Sequence, residues 1–267
     1  MLNHELITAP GGTPDRWMLV LHGIFGSGRN WATVIRRVVA ERPEWGAILV
    51  DLREHGKSTG FEPPHTISAA AGDLDGLVRS LGLPVRAVLG HSFGGKVALA
   101  YARDHGRDLD QVWLIDSTPA PLQPGGEAWT MLGIVKRLPG SFATRAEAVA
   151  ALEREGVRTP VAQWMTMNLE ASPDGGYRWR IDFDAIEDLL RDFFQTDLWP
   201  VVESPPGNVV IHVVKASESN LVGPEAVERI QKASADGRVI LHLLRGGHWV
   251  HAEDPDQVQA LLIDELS

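Results

Sequence analysis

The chain of 267 residues contains no cysteine. This absence excludes disulfide bonds, thiolate-ligated zinc and any mechanism that uses a thiol nucleophile. A chain without disulfides suits a reducing compartment. Residues 1–13 hold no apolar segment of signal-peptide length. We therefore expect a cytoplasmic protein.

Positive charge and long apolar runs are also scarce. The 25 Lys and Arg residues stand against 35 Asp and Glu residues, which gives a net charge of −10. No basic stripe offsets this balance, so we expect no nucleic-acid partner. No apolar run approaches the roughly 18 residues needed to cross a bilayer, so we expect no membrane partner either.

Short apolar segments alternate with amphipathic stretches through the first half of the chain. The apolar segments are predicted strands, at Trp17–Leu21, Ala47–Val50, Arg86–Leu89 and Val112–Ile115. The stretches between them are predicted helices, at Trp31–Ala40, Ile67–Leu81 and Phe93–Asp104. Near the C-terminus the alternation returns, with strands at Val209–Val214 and Val239–Leu244 and helices at Glu225–Ala235 and Pro255–Leu266. This pattern predicts an α/β architecture, a mostly parallel sheet flanked by helices.

The alternation stops after Asp116. Residues 117–126 are rich in Pro and Gly. The segment that follows is predicted to form helices without strands, at Glu127–Arg137, Arg145–Arg154, Pro160–Leu169 and Asp184–Phe194. We therefore predict a core made of residues 1–119 and 203–267, interrupted by a helical cap of residues 120–202. We call residues 120–202 the insertion.

The segment Gly90-His-Ser-Phe-Gly94 follows a predicted strand and begins a predicted helix. A serine at such a sharp turn has strained backbone angles, and the residues two positions away have to be small. Glycine meets that requirement on both sides. A phosphate-binding loop is excluded, because neither G-x-G-x-x-G nor a P-loop pattern is present. The spacing predicts Ser92 as a nucleophile, while Lys96 is expected to be a partly exposed structural side chain.

A nucleophilic serine needs a base, and the chain offers His248 in a glycine-flanked loop after the last predicted strand. That position fits the chain order of serine, acid and histidine. His251 lies three residues later. Two histidines with no carboxylate or Cys motif make a poor metal site, so we expect no metal. We interpret His251 as a hydrogen-bonded residue at the start of the last helix.

The acid that orients the imidazole has two candidates. After the strand Val209–Val214, the position where an Asp is expected holds Ser219. Asp116 closes an earlier predicted strand, and Glu218 lies beside Ser219. Both candidates keep the chain order and both fit the carboxyl edge of the sheet. We favour Asp116 because the end of a strand is the more rigid position, and Glu218 stays open as the alternative acid.

The first predicted strand runs into a glycine-rich turn, His22-Gly-Ile-Phe-Gly-Ser-Gly28. Such a turn allows a backbone N–H to face the serine. Acyl transfer needs two N–H donors, because negative charge develops on the carbonyl oxygen. We predict that the backbone N–H groups of Ile24 and Phe93 form this oxyanion hole, with Phe25 as the fallback for Ile24.

Four segments together resemble the α/β-hydrolase superfamily: His22-Gly-Ile-Phe-Gly-Ser27, Asp51-Leu-Arg-Glu-His-Gly-Lys-Ser58, Gly90-His-Ser-Phe-Gly-Gly-Lys96 and Gly247-His-Trp-Val-His-Ala-Glu253. Within it, the chain is similar to a branch of small intracellular carboxylesterases and acyl thioesterases. The resemblance implies the α/β-hydrolase fold with an inserted helical lid, and an architectural role for residues 51–58. Members of that branch share the departure at Ser219 and carry the acid after the earlier strand, which points to Asp116.

These residues predict a serine hydrolase that cleaves carboxylic esters or acyl thioesters through an acyl-enzyme on Ser92, with no cofactor. Lactone or C–C bond hydrolysis by the same residues is an alternative, and a non-catalytic ligand-binding member of the fold is another. Within the insertion, Trp129, Trp164 and Met165 are candidates for substrate binding, since an apolar underside would hold an acyl chain. We expect a small-molecule ester or thioester as ligand, and a monomer or small homo-oligomer.

Overall fold

The apolar segments form one central sheet in the computed structural model, which describes residues 1–267. The ten strands of the chain are β1 (His4–Ile7), β2 (Arg16–Leu21), β3 (Trp45–Val50), β4 (Val85–His91), β5 (Gln111–Ile115), β6 (Ser141–Phe142), β7 (Leu169–Ala171), β8 (Tyr177–Trp179), β9 (Val210–Ala216) and β10 (Val239–Leu244). Seven of them build the central sheet, in the order β1-β3-β2-β4-β5-β9-β10. β1 pairs antiparallel with β3, and every other neighbouring pair is parallel.

Helices cover both faces of this sheet. They are α1 (Ala32–Glu41), α2 (Ile67–Leu81), α3 (Phe93–His105), α4 (Gly126–Val135), α5 (Arg145–Arg154), α6 (Thr159–Met165), α7 (Phe183–Gln195), α8 (Trp199–Glu203), α9 (Pro224–Ala233), α10 (Val250–Glu253) and α11 (Pro255–Glu265). Apolar side chains of α1 and α11 pack on one face, and those of α2, α3 and α9 pack on the other. Strands β2 to β5 are buried almost throughout, as expected of a parallel sheet covered on both sides.

The predicted strands and helices of the core are confirmed to within a few residues, and so is the α/β architecture. The strand β1 was not predicted from the sequence. This edge strand has four residues, His-Glu-Leu-Ile, of which only the last is buried. A strand so short, with polar residues at its start, gives neither an apolar run nor a clear alternation.

The prediction of an insertion without strands is wrong. Between β5 and β9 the chain forms five helices, α4 to α8, and a three-stranded antiparallel sheet in the order β6-β8-β7. The predicted boundary at residue 202 also falls inside α8. That helix packs against α3 and α9 of the core, so it belongs with the core rather than with the preceding helices of the insertion.

The parallel strands bring four loops to one edge of the sheet. The carboxyl ends of β2, β4, β5 and β10 lead into the loops that contain Ile24, Ser92, Asp116 and His248. Ligands of open α/β sheets bind at this edge. No helix of the chain is both long enough and apolar enough to span a membrane.

Candidate active site

Ser92 lies at the turn between β4 and α3, in a backbone conformation that is rare for residues other than glycine. Its φ and ψ angles are 51° and −115°. The Ser92 N–H donates to the carbonyl of Ile115 at 3.0 Å, and the Ser117 hydroxyl donates to the Ser92 carbonyl at 2.6 Å. Hydrogen bonds to β5 and from the residue that follows Asp116 thus fix both the N–H and the carbonyl of Ser92, and these bonds maintain the strained geometry.

The glycines around Ser92 are required by close backbone approach. A Cβ atom on Gly90 would lie 2.1 Å from the carbonyl oxygen of Gly94, and one on Gly94 would lie 2.5 Å from the carbonyl oxygen of His22. A Cβ atom on Gly95 would lie 2.4 Å from the Cβ of Ser117. Gly90 and Gly94 are thus required for the steric reason expected from the sequence, and Gly95 is subject to a similar restriction.

His248 connects Ser92 to Asp116. Its Nε2 is 3.0 Å from the Ser92 Oγ, and its Nδ1 is 2.6 Å from the Asp116 Oδ2. The carboxylate is fully buried, and its other oxygen accepts a hydrogen bond from the Ala216 N–H at 3.1 Å. Because an ionised carboxylate only accepts, Nδ1 carries the imidazole proton and Nε2 is free to accept one from Ser92. This is the geometry of a serine–histidine–acid triad.

Glu218, the alternative acid, forms no hydrogen bond or ion pair with His248. It is exposed at the cavity described below, and its backbone N–H donates to the Gly246 carbonyl at 2.9 Å. Ser219 is buried beside it, and its hydroxyl accepts from the Leu221 N–H at 3.3 Å. Of the two candidate acids, the structure brings only Asp116 to the histidine.

The predicted oxyanion donors lie in two places, the loop after β2 (Ile24 and Phe25) and the start of α3 (Phe93). Ile24 and Phe25 lie at the centre of a turn closed by a hydrogen bond from the Gly26 N–H to the Gly23 carbonyl, and neither of their own N–H groups makes a hydrogen bond. Phe25 has a φ of 61°, a second strained residue at this site. Phe93 is the first residue of α3, so its N–H has no carbonyl one turn earlier in the helix to pair with. These free N–H groups adjoin the cavity next to Ser92.

Three residues that were not predicted from the sequence hold this arrangement in place. The His22 Nδ1 donates to the Gly23 carbonyl at 2.7 Å, while its Nε2 accepts from the Leu52 N–H at 3.0 Å. The His91 Nε2 donates to the His248 carbonyl at 2.8 Å. The buried Asn168, in the insertion, donates from its side-chain amide to the Phe25 carbonyl at 2.9 Å. The only sequence signal for the two histidines was their position. His22 directly follows β2 and precedes Gly23, and His91 is the last residue of β4 and precedes Ser92.

Burial keeps the supporting histidines neutral. It lowers the pKa of His22, and it lowers the pKa of His91 well below the ordinary value for histidine. The proximity of His251 and His248 lowers the pKa of His91 further. A neutral imidazole has one donor and one acceptor nitrogen, which matches the opposite roles of the two His22 nitrogens.

Two minor predictions are wrong. Lys96 is fully buried rather than partly exposed. His251 is buried in α10 with its ring stacked on that of Trp31 at 4.5 Å, and its Nδ1 has no hydrogen-bond partner. Burial lowers the pKa of His251 to about 3. It is therefore a neutral packing residue, not the hydrogen-bonded residue that was expected.

A cavity of about 700 Å³ opens onto Ser92 and His248. Its apolar lining residues include Leu122, Met131, Val161, Trp164, Leu190, Phe193 and Phe194 from the insertion. Of the three candidates for substrate binding, Trp164 lines the cavity, with its ring edge-on to Trp249 at 4.6 Å. Trp129 and Met165 do not. Trp129 packs edge-on against Phe194, and Met165 is fully buried in the core.

Residues 51–58 lie away from this cavity. The Asp51 carboxylate accepts hydrogen bonds from the N–H groups of Gly28 and Lys57, each at 2.9 Å, and from the Asn3 side chain at 2.8 Å. Arg53 forms an ion pair with Asp73 at 2.6 Å. These contacts join the segment to the N-terminal residues, to a neighbouring loop and to α2, in keeping with an architectural role.

Comparison with known proteins places the chain in a family. A model of the alpha/beta hydrolase family matches residues 18–261. The sn-1-specific diacylglycerol lipase ABHD11 of Mus musculus is 26% identical over 263 residues, covering 95% of this chain and 81% of that protein. Esterase YbfF of Escherichia coli (strain K12) is 26% identical over 264 residues, covering 96% and 95%. A solved structure, a marine microorganism esterase, matches with a TM-score of 0.85 at 24% identity over 98% of both chains.

Proposed function

This chain belongs to the alpha/beta hydrolase family, and from that premise we propose that it cleaves carboxylic esters through an acyl-enzyme on Ser92. The observation that carries the proposal is the continuous hydrogen-bond chain from the Ser92 Oγ through His248 to the buried Asp116. Relatives named esterase and lipase, such as those of Escherichia coli and Mus musculus, support the same reaction class.

The first half of the reaction forms the acyl-enzyme. The His248 Nε2 accepts the Ser92 proton while the Oγ attacks the ester carbonyl carbon. Asp116 holds the imidazole in the required tautomer and stabilises the imidazolium that develops. The imidazolium then gives its proton to the leaving alkoxide, and the C–O bond of the ester breaks.

The second half uses the same groups on water. His248 takes a proton from a water molecule, which attacks the acyl carbon, and Ser92 recovers its proton as the acid leaves. In both halves the backbone N–H groups of Ile24 and Phe93 stabilise the oxyanion. The N-terminus of α3 points at Ser92, so its dipole adds favourable potential for negative charge there.

The cavity favours an uncharged ester with an apolar group. Nearly half of its lining residues, 13 of 27, are hydrophobic. Its charged lining side chains apart from histidine are the three carboxylates Glu127, Glu218 and Glu253 and a single cation, Arg158. The excess of negative charge opposes an anionic leaving group such as coenzyme A. Oxygen esters are therefore the substrates we propose, ahead of acyl-coenzyme A thioesters.

The test is hydrolysis of a p-nitrophenyl ester series, from acetate to octanoate, beside the matching acyl-coenzyme A thioesters. Wild type is expected to release p-nitrophenolate and to be labelled covalently by a fluorophosphonate. Ser92→Ala is expected to lose both properties. Ser80→Ala, which removes a hydroxyl on the surface helix α2, is the matched control and is expected to retain them. Turnover by Ser92→Ala at the wild-type rate would refute the proposal.

A further inference from the structure

Lys96 is a buried cation without a carboxylate partner. Its side chain is fully buried in the first turn of α3, four residues after Ser92. The ammonium group donates three hydrogen bonds, all to backbone carbonyls: Ala120 at 2.8 Å, Phe193 at 2.5 Å and Thr196 at 2.8 Å. Every N–H of the ammonium is used. A buried lysine is costly to maintain, so this arrangement calls for a function.

The three carbonyls belong to the two ends of the insertion. Ala120 lies where the chain leaves β5, and Phe193 and Thr196 lie at the C-terminal end of α7, where the chain returns. The last carbonyls of a helix have no partner within the helix and carry the negative end of its dipole. A cation at this position pairs with the free carbonyls and also interacts favourably with the negative end of the dipole. The two chain ends are also joined to each other, since the Leu122 N–H donates to the Phe194 carbonyl at 2.8 Å.

The same contacts connect α3 to the wall of the cavity. The Lys96 Nζ lies 4.5 Å from the centre of the Phe193 ring. Phe193 and its neighbour Phe194 line the cavity. The Phe193 ring also lies 6.1 Å from that of Phe93, whose backbone N–H is a proposed oxyanion donor. A single side chain thus ties the nucleophile turn to the surface that would contact a long acyl group.

We propose that Lys96 is a positioning residue that sets the acyl-binding wall of the cavity by fixing both ends of the insertion to the first turn of the nucleophile helix. This proposal rests on the proposed ester hydrolase function and deepens it. Lys96 does not touch the reacting atoms. It determines how well the site holds long acyl groups, which reach the wall formed by Phe193 and Phe194, and has little effect on an acetyl group, which does not.

The protonation of Lys96 gives the proposal a second consequence. The neutral amine has only two N–H donors, so one of the three carbonyls loses its partner on deprotonation. Burial lowers the pKa of Lys96 to about 8. Asp197 and Asp192 oppose that shift, and the first turn of α3 adds no acidic residue. The wall is therefore expected to loosen as the pH rises through this value.

The experiment compares KM for p-nitrophenyl octanoate and p-nitrophenyl acetate. In Lys96→Met, which keeps the length of the side chain and removes the ammonium, the octanoate-to-acetate KM ratio is expected to rise about tenfold, with kcat on acetate within about threefold of wild type. Lys232→Met removes an exposed lysine and is expected to leave the ratio unchanged. A wild-type ratio in Lys96→Met, or an equal loss on both esters, would overturn the proposal.

A second measurement needs no variant and covers the case in which Lys96→Met does not fold. In wild type the KM ratio is expected to rise between about pH 7 and about pH 9.5, as the amine loses its proton. A flat ratio across this range would overturn the proposal.

The proposed function can fail separately. If wild type cleaves no ester, the positioning role is measured by the affinity for 1-octanol, followed by the change in intrinsic tryptophan fluorescence, because Trp164 and Trp249 line the cavity. Weaker binding by Lys96→Met than by Lys232→Met supports the role, and equal binding overturns it.

Discussion

Replacing Asp116 by Asn tests whether this carboxylate orients His248, the proposed base. In the structure, the Asp116 Oδ1 accepts from the Ala216 N–H and the Oδ2 faces the Nδ1 of His248. An Asn side chain at this position has one carbonyl oxygen and one NH2 group. The Ala216 N–H requires the oxygen, so the NH2 group is directed at His248. The imidazole then carries its proton on Nε2, and that nitrogen no longer accepts the Ser92 proton.

The magnitude follows from that change of tautomer. The substitution keeps the size of a fully buried side chain, so the fold is expected to persist while the reactive tautomer becomes rare. If Asp116 orients the base, loss of this orientation is expected to lower kcat by roughly 10³–10⁴-fold, similar to the loss in a serine protease whose triad Asp is replaced by Asn. That factor corresponds to about 4–5.5 kcal/mol of transition-state stabilisation.

The assay is steady-state hydrolysis of p-nitrophenyl acetate by Asp116→Asn, with far-UV circular dichroism to verify the fold. Glu218→Gln is the matched control, because it neutralises the other candidate acid at an exposed position. It is expected to change kcat by less than about twofold. A large loss in Glu218→Gln together with near-normal activity in Asp116→Asn would refute the assignment of the acid.

Three further outcomes are expected. Gly90→Ala places a Cβ atom 2.1 Å from a backbone oxygen and is expected to lower the free energy of unfolding by more than about 3 kcal/mol. Gly72→Ala, in an open part of α2, is the control and is expected to raise the free energy of unfolding by about 0.5–1 kcal/mol. Equal urea midpoints for the two variants would contradict this prediction. Asn168→Ala removes the donor to the Phe25 carbonyl and is expected to lower kcat about tenfold at nearly constant KM, so unchanged kcat would exclude a role for this hydrogen bond in positioning the oxyanion loop. Burial lowers the pKa of Lys96 to about 8 in the folded protein, against an ordinary value of 10.5. Between these two pH values the unfolded chain therefore binds more protons than the folded protein. The free energy of unfolding is expected to rise with pH across this range, by up to about 3 kcal/mol. Urea unfolding at about pH 7.5 and about pH 10 is expected to show this rise relative to Lys96→Met, and parallel behaviour of the two proteins would contradict it.

The three residues that the structure brings together, Ser92, Asp116 and His248, could be selected from the sequence because each has a local signature. Ser92 lies between glycines that the turn requires, Asp116 ends an apolar strand, and His248 follows the last strand. The parallel topology then brings all three loops to one edge of the sheet. Chain order and the positions of the strand ends were therefore sufficient to select the residues of the candidate site. The hydrogen bond to His248 then distinguishes Asp116 from Glu218.

The remaining features depend on contacts between distant parts of the chain. The strands β6, β7 and β8 have two or three residues each, too few for an alternating pattern to be visible. Lys96 is hidden in the fold because its partners are backbone carbonyls more than 20 residues away, which no side-chain pattern indicates. The same limitation affected Trp129 and Met165, since an apolar residue of a helix gives no sign of whether it faces a cavity or the core.

The central claim is a covalent intermediate on Ser92, and pre-steady-state kinetics test it most directly. On mixing with excess p-nitrophenyl acetate, wild type is expected to release one equivalent of p-nitrophenolate per protein in a rapid burst. Mass spectrometry of the acid-quenched sample is expected to find one acetyl group on the peptide that contains Ser92. Steady turnover with neither a burst nor an acetylated Ser92 peptide, under conditions where deacylation limits the rate, would contradict the account.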